Sequence, residues 1–241
     1  MELFGLKYDM ASTSETLALI SEAVILKRSS AFIRSDINVG TIVSAKDDQI
    51  IQEYINESDV VNLDGMGAIL GAKILGKPLP ERVAGADLFE EVLSLSDNKG
   101  YSVYFLGATK YVNELTYLKA INEYPTLKVA GKHDGYFFDA QKEIVELITL
   151  CEPDILFVGI KSPEKEYFIK EWKDKLNVKV ILGVGGTFDV YCGEVERAPK
   201  WVQRIGMEWL FRVYQEPKRM WKRYLISNFT YLKMLINEMR S

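Results

Sequence analysis

The chain has only two cysteines, Cys151 and Cys192, and one histidine, His133, among its 241 residues. Two thiols so far apart in sequence form no disulfide framework, and with one imidazole they are too few for a structural zinc site. Lone thiols fit a reducing cytoplasm. No site needing two imidazoles can be built, and G-x-S-x-G, the sequence of a serine nucleophile elbow, is absent. Neither G-x-x-x-x-G-K-[ST] nor G-x-G-x-x-G occurs, which disfavours a P-loop enzyme and an ordinary dehydrogenase. There is no D-x-D pair of the kind that holds a metal in many sugar-nucleotide enzymes. No run of 18 apolar residues exists, and the first residues, MELFGLKYDMASTSE, lack a basic stretch followed by an apolar one. Neither a spanning helix nor a secretory signal is expected, so any membrane contact would be peripheral.

What is present is globular: 48% hydrophobic, 27% charged, 17 Gly and 7 Pro. The length suits one large domain or two small ones. The net charge of −4 hides a division. Residues 1–195 carry 20 Lys and Arg against 30 Asp and Glu, a net of −10; residues 196–241 carry 10 against 4, a net of +6. Trp201, Trp209 and Trp221 also lie in the basic stretch. A basic aromatic tail on an acidic body points to an anionic partner. The expected division is an α/β body over 1–195 and a helical appendage over 196–241.

Short β-branched runs alternate with helical periods. Strands are expected over 31–38, 59–63, 101–108, 127–132, 154–160 and 178–186, apolar on both faces. Helices are expected over 13–28, 66–75, 86–98, 110–124, 139–150 and 163–175, the first opened by Ser12 with Glu15 three residues on. This order predicts an α/β fold with a largely parallel, Rossmann-like sheet. Several strands end in glycine: Gly107, Gly159 and Gly183 through Gly186. One such glycine merely ends a strand. Three sets at strand ends favour a nucleotide or sugar-nucleotide pocket there. Beyond residue 196 no strand signal remains. Two or three short helices are expected, with Pro199 and Pro217 at their starts and Trp209 and Phe211 in their core.

Three segments together, residues 62–93 (NLDGMGAILGAKILGKPLPERVAGADLFEEVL), 183–212 (GVGGTFDVYCGEVERAPKWVQRIGMEWLFR) and 216–224 (EPKRMWKRY), resemble the WecG/TagA/CpsF glycosyltransferase family. YFLGA (104–108), GKHDGYF (131–137) and DILFVGIKSPEKE (154–166) follow in family order, so the resemblance spans nearly the whole chain. It implies an α/β fold with a C-terminal basic helical appendage. It also implies transfer of an N-acetylmannosamine-type sugar from a UDP donor to a polyprenyl-diphosphate-linked saccharide, at the inner face of the cell membrane. The products feed teichoic acid or capsule-like polysaccharides.

The resemblance assigns the catalytic base to Asp64 in LDGMG. From the dipeptide alone Asp-Gly reads as a turn. It places Asn38 at the end of the pocket's early strand, where Asp36 stands in place of the family's Thr. It places Arg82 in ERV as a clamp for diphosphate or sugar oxygens; a surface ion pair with Glu81 or Asp87 is the alternative. Lys161 and Lys165 stand where the family has Gly and Gln, which leaves the donor sugar open. Lys165 offers a partner to a carboxylate or phosphate. Gly107, Gly185 and Gly186 would let the nucleotide approach the backbone, with Asp189 accepting from uracil or ribose and Tyr136 in the pocket. Arg212 and Arg219 would neutralise the departing UDP, with Lys222 or Arg223 as a third cation. No cofactor and no metal is expected. The remaining basic and aromatic residues suit an anionic membrane surface. A homo-oligomer stays open. A non-catalytic nucleotide-binding regulatory protein and a nucleic-acid module are the competing readings; the acidic body and the lack of a nucleic-acid motif weigh against the latter.

Overall fold

The chain opens with a small antiparallel hairpin, β1 (Glu2–Leu3) and β2 (Leu6–Lys7), which the sequence reading did not include. The computed structural model describes residues 1–26 and 28–240, with the side chains of Arg204, Arg219 and Arg223 outside the described set. Next come α1 (Thr13–Ile25), β3 (Phe32–Ile37), α2 (Val39–Asp47), α3 (Gln49–Glu57), β4 (Val60–Leu63) and α4 (Met66–Ile74). They are followed by α5 (Gly85–Lys99), β5 (Ser102–Gly107), α6 (Lys110–Glu123), β6 (Lys128–His133), α7 (Gln141–Cys151), β7 (Ile155–Gly159) and α8 (Glu164–Trp172). The last elements are β8 (Val180–Gly183), α9 (Thr187–Tyr191), α10 (Lys200–Arg204), α11 (Glu208–Gln215) and α12 (Pro217–Glu238).

β3 to β8 form one parallel sheet in the order β4-β3-β8-β7-β5-β6. Side chains alternate between two cores. Ile33, Val61, Leu106, Val158 and Ile181 face α2, α3, α4, α7, α8 and α12, whereas Phe32, Val60, Phe105, Phe157 and Leu182 face α1, α5, α6 and α9. The fold is therefore α/β with helices on both faces, as the strand–helix alternation implied. β6 is an edge strand whose residues are half-buried or exposed, not apolar on both faces as expected, because one of its sides has no neighbouring strand.

Two helices between residues 39 and 57 escaped the sequence reading. Val39, Thr41, Ile42 and Val43 are β-branched and argue locally against α2. Caps decide the matter: Asn38 accepts from the Thr41 N–H, and Asp48 accepts from the Ile50 and Ile51 N–H groups. The tail also differs from expectation. Pro217 does start a helix, but α12 is a single helix of 22 residues. It packs on α2 and touches α4, where the Tyr231 hydroxyl donates to the Gly67 carbonyl (3.1 Å) and Tyr231 and Leu235 join the buried core. Trp209 is exposed beside Tyr224 and Phe211 is half-buried, so neither is the core residue expected; among the described residues of the tail, Ala198, Val202, Met220, Tyr231 and Leu235 are buried.

Candidate active site

The carboxyl ends of β3 and β4 lie side by side, with Asp36 opposite Asn62 and Ile37 opposite Leu63. The Asp64 N–H extends this ladder by donating to the Ile37 carbonyl (2.9 Å). Gly65 then turns the chain at φ +87, a conformation that favours glycine, and sends it into α4. A Cβ on Gly65 would lie 3.7 Å from that of Asn38, so the Asn38 cap and the Asp64 turn are neighbours. The Asn38 amide donates to Asp36 Oδ2 (3.4 Å).

Asp64 is held on both sides. Its Oδ2 accepts from the N–H of Gly85 (3.2 Å), the first residue of α5, where a helix N-terminus favours an anion. Its Oδ1 lies 3.6 Å from Arg82 Nη2. Burial and then the charge of Asp36 raise its pKa above the usual aspartate range; Arg82 and the Gly85 N–H oppose the rise. A quarter of the side chain (26%) stays exposed, so a substrate can still reach the carboxylate.

Arg82 does not make the surface pair with Glu81 or Asp87 considered from sequence. Its Nη2 contacts Glu208 Oε2 at 2.6 Å, and Asp87 is taken by Arg197. Arg82 Nε is buried and has no hydrogen-bond partner among the described residues. Glu208 begins α11. One turn further, Arg212 reaches the Gly183–Gly186 turn, its Nη2 3.8 Å from where a Cβ on Gly186 would stand. α11 thus touches both the Asp64 side of the site and the glycine turn after β8. Arg219 and Arg223 lie on α12 with side chains outside the described set; Lys222 is exposed.

Lys165 is buried against the same turn, where a Cβ on Gly183 would lie 2.9 Å from its Cδ. Its Nζ pairs with Glu166 Oε1 at 3.2 Å. Burial alone would lower its pKa, but the carboxylates of Glu166 and Asp36 outweigh that and raise it. Lys165 is therefore a neutralised cation and not a free one. Arg34 Nε donates to Asn62 Oδ1 (2.9 Å), and Arg34 also lies 3.5 Å from Asp36. Burial pushes the Tyr54 phenol well up, with the charges of Lys165, Glu166, Asp36 and Arg34 also acting on it.

A second part of the sheet top lies at β5 and β7. From β5 the chain passes through α6 outward to β6; from β7 it passes through α8 the other way to β8. Adjacent parallel strands whose connections diverge open a crevice at their carboxyl ends. There Gly107 adopts φ +137, and a Cβ on it would stand 2.4 Å from the Gly159 carbonyl. The Ala108 N–H donates to the Gly159 carbonyl, and the Gly135 N–H to the Ala108 carbonyl. The Asn113 amide, 3.0 Å from the carbonyls of both Gly107 and His133, ties the two loops together.

The structure thus gathers Asp64, Asn38 and Arg82 at one end, and Lys165, Gly185, Gly186 and Arg212 at the turn after β8. Tyr136 is 70% exposed on the loop after β6, the edge of the sheet opposite β4. Asp189 is half-buried on α9, its carbonyl accepting from the Val195 N–H. Sequence reading passed over Glu208, Tyr54 and Asn113, and gave Glu166, which holds the family pattern, no role. Glu208 lies within a segment that carried the resemblance, but its partner is 126 positions away. Among the described residues no helix is long and apolar enough to cross a membrane, and no group of three or more His, Cys, Asp or Glu side chains is arranged to hold a metal.

Comparison with known proteins gives a match to the model of the glycosyl transferase WecG/TagA/CpsF family over residues 1–241. Three curated relatives share one name, N-acetylglucosaminyldiphosphoundecaprenol N-acetyl-beta-D-mannosaminyltransferase. The one from Bacillus spizizenii is 37% identical over 72% of this chain and 67% of its own. That from Bacillus subtilis is 34% identical over 79% and 74%, and that from Staphylococcus aureus 32% over 76% and 72%.

Proposed function

Because the chain belongs to the WecG/TagA/CpsF family of glycosyltransferases, we propose that it moves N-acetylmannosamine from a UDP donor to an N-acetylglucosaminyl-diphosphate-polyprenol, with inversion. The relatives' shared name supports the acceptor and the sugar. The observation that carries the chemistry is Asp64: a carboxylate held by Gly85 and Arg82, its pKa raised, and still open to solvent. In the displacement, an acceptor hydroxyl oxygen bonds to the anomeric carbon as the bond from that carbon to the β-phosphate oxygen breaks. Asp64 takes the hydroxyl proton, and UDP leaves with the bonding pair. General-base help of this kind contributes roughly 10²–10⁴-fold.

Asn38 braces the floor beside Asp64. Arg82, whose side chain is one-fifth exposed, meets a substrate oxygen. Gly107, Gly185, Gly186, Tyr136 and Asp189 bind the nucleotide. Arg212, with Arg219 and either Lys222 or Arg223, meets the diphosphate charge that grows as UDP departs. Lys165, neutralised by Glu166, serves a hydroxyl or acetamido oxygen of a neutral sugar better than a carboxylate. Transfer then needs no metal, and EDTA leaves the rate within tenfold; a larger loss contradicts this.

We also propose a resting place at the inner membrane surface. Trp221, Leu225, Phe229, Leu232 and Ile236 recur every three or four residues along α12 and are all exposed, with Lys218 and Lys222 at its start. The test of the activity is UDP release across a panel of UDP-sugars, with a soluble N-acetylglucosaminyl-diphosphate-lipid analogue as acceptor. Release with UDP-N-acetylmannosamine that requires the acceptor is expected. No acceptor-dependent release with any donor would overturn the reading, and would favour a nucleotide-binding protein without transfer.

A further inference from the structure

Glu208 occupies an unusual place. It is the first residue of α11, in the basic C-terminal stretch, yet its carboxylate meets Arg82 on the loop ahead of α5. The same Arg82 nitrogen, Nη2, lies 2.6 Å from Glu208 Oε2 and 3.6 Å from Asp64 Oδ1. One guanidinium end is therefore shared between two carboxylates 144 positions apart in the chain. The Arg82 side chain is only one-fifth exposed, and its fork is set by the partner it touches most closely.

We propose that Glu208 is a positioning residue for the catalytic base: by holding the Arg82 guanidinium beside Asp64, it makes a competent base depend on the docking of α11. The proposal rests on the reading of Asp64 as the base. Three consequences follow from the geometry. A displaced α11 releases Arg82 from Glu208, and Arg82 then pairs with Asp64 alone. Glu208 and Arg212 lie one turn apart on α11, so the helix that sets Arg82 also brings a cation to Gly186. The base and the cation facing the leaving group are thereby assembled in one docking event. Finally, the Arg82 side chain keeps one-fifth of its surface open, so the guanidinium that serves Asp64 can still meet a substrate oxygen.

The charges around Asp64 give the proposal a sign. Asp36 and Arg34 face it from β3, and Arg82 from the loop ahead of α5. Asp87 on α5 is neutralised by Arg197, which also feels Glu208. Lys165 of α8 is paired with Glu166. Arg212 lies at the glycine turn. Glu208 is the group that offsets the charge of Arg82. Removing it leaves Arg82 acting on Asp64 alone, and a nearby cation favours the ionised carboxylate.

The experiment compares wild type, Glu208→Gln, Glu208→Asp and Asp64→Asn in the UDP-release assay across pH, with thermal melting alongside. Glu208→Gln should lower kcat tenfold or more and shift the acid limb of kcat/KM to lower pH by about half a unit to one unit. Glu208→Asp, which keeps the charge, should hold the limb at its wild-type position. A residue that only docks α11 would change melting and overall rate but not the limb. If Glu208→Gln turns over too slowly for a profile, titration of the Asp64 carboxyl by ¹³C NMR provides the same reading. An Asp64 titration in Glu208→Gln that stays at the wild-type pH, or rises, overturns the proposal. The Asp64→Asn arm separates the two readings: full activity there would remove the base itself. An inactive Asp64→Asn with an unmoved Glu208→Gln limb would remove only the role of Glu208.

Discussion

The electrostatic character of Asp64, the proposed base, is set by the groups around it. Burial and the charge of Asp36 raise its pKa, and Arg82 and the Gly85 N–H hold it partly down. A general base works only when ionised. The acid limb of kcat/KM is therefore expected above the value near 4 of a free aspartate, about 3.9. Asp36→Asn removes a negative neighbour, so the Asp64 pKa falls and the limb moves to lower pH. A limb that stays put or rises in Asp36→Asn would contradict this electrostatic origin. At this scale Asp64, Asn38 and Arg82 were legible through the family resemblance, and the structure brings the three side by side. Glu208 and Lys165 were not legible in the same way. Whether a charge is free or neutralised depends on contacts across the fold, and spacing along the chain carries no trace of the Glu208–Arg82 or Lys165–Asp36 encounters.

Between elements, α12 packs on α2 and α11 and comes closest to α4 at Gly71. A Cβ on Gly71 would stand 1.8 Å from the Tyr231 hydroxyl oxygen, and Tyr231 is buried. Gly71→Ala must therefore push α12 away or turn Tyr231 out of the core, at a cost of about 1–3 kcal/mol. Melting should show this as a lower midpoint, and transfer should fall because α11 and α12 shift together. Tyr231→Phe in the Gly71→Ala background removes the nearest atom and should recover part of the loss. No recovery would mean that α12 is seated by other contacts. The strands and most helices were legible because their apolar pattern is regular. α2 was not, since its β-branched residues mask a helix that Asn38 starts by capping. The length of α12 was missed because the tail was read as two or three short helices, whereas the residues from Pro217 onward run as one helix with Trp221, Leu225, Phe229, Leu232 and Ile236 exposed.

Across the whole molecule, the acidic body and basic tail are joined by buried packing and by the Glu208–Arg82 pair. The tail presents its remaining apolar residues outward. Replacing Leu225, Phe229 and Leu232 together by Ser should cut binding to phosphatidylglycerol vesicles at least tenfold. Because these side chains are exposed, melting should hardly change, each surface change being worth within about 0.5 kcal/mol. Activity on a soluble acceptor should persist. Unchanged vesicle binding would remove the membrane role from this face. The charge division was legible in composition alone, but its consequence was not: deletion of residues 196–241 takes away Glu208 and Arg212 as well as the outward face, and so removes transfer on soluble acceptors too.

The most direct test is a single-turnover measurement with UDP-N-acetylmannosamine and a soluble lipid-diphosphate N-acetylglucosamine acceptor, comparing wild type with Asp64→Asn. The expected result is donor affinity within a few-fold of wild type and a transfer rate lower by about 10²-fold or more. A variant that transfers at a near-normal rate would contradict the assignment of Asp64 as the base.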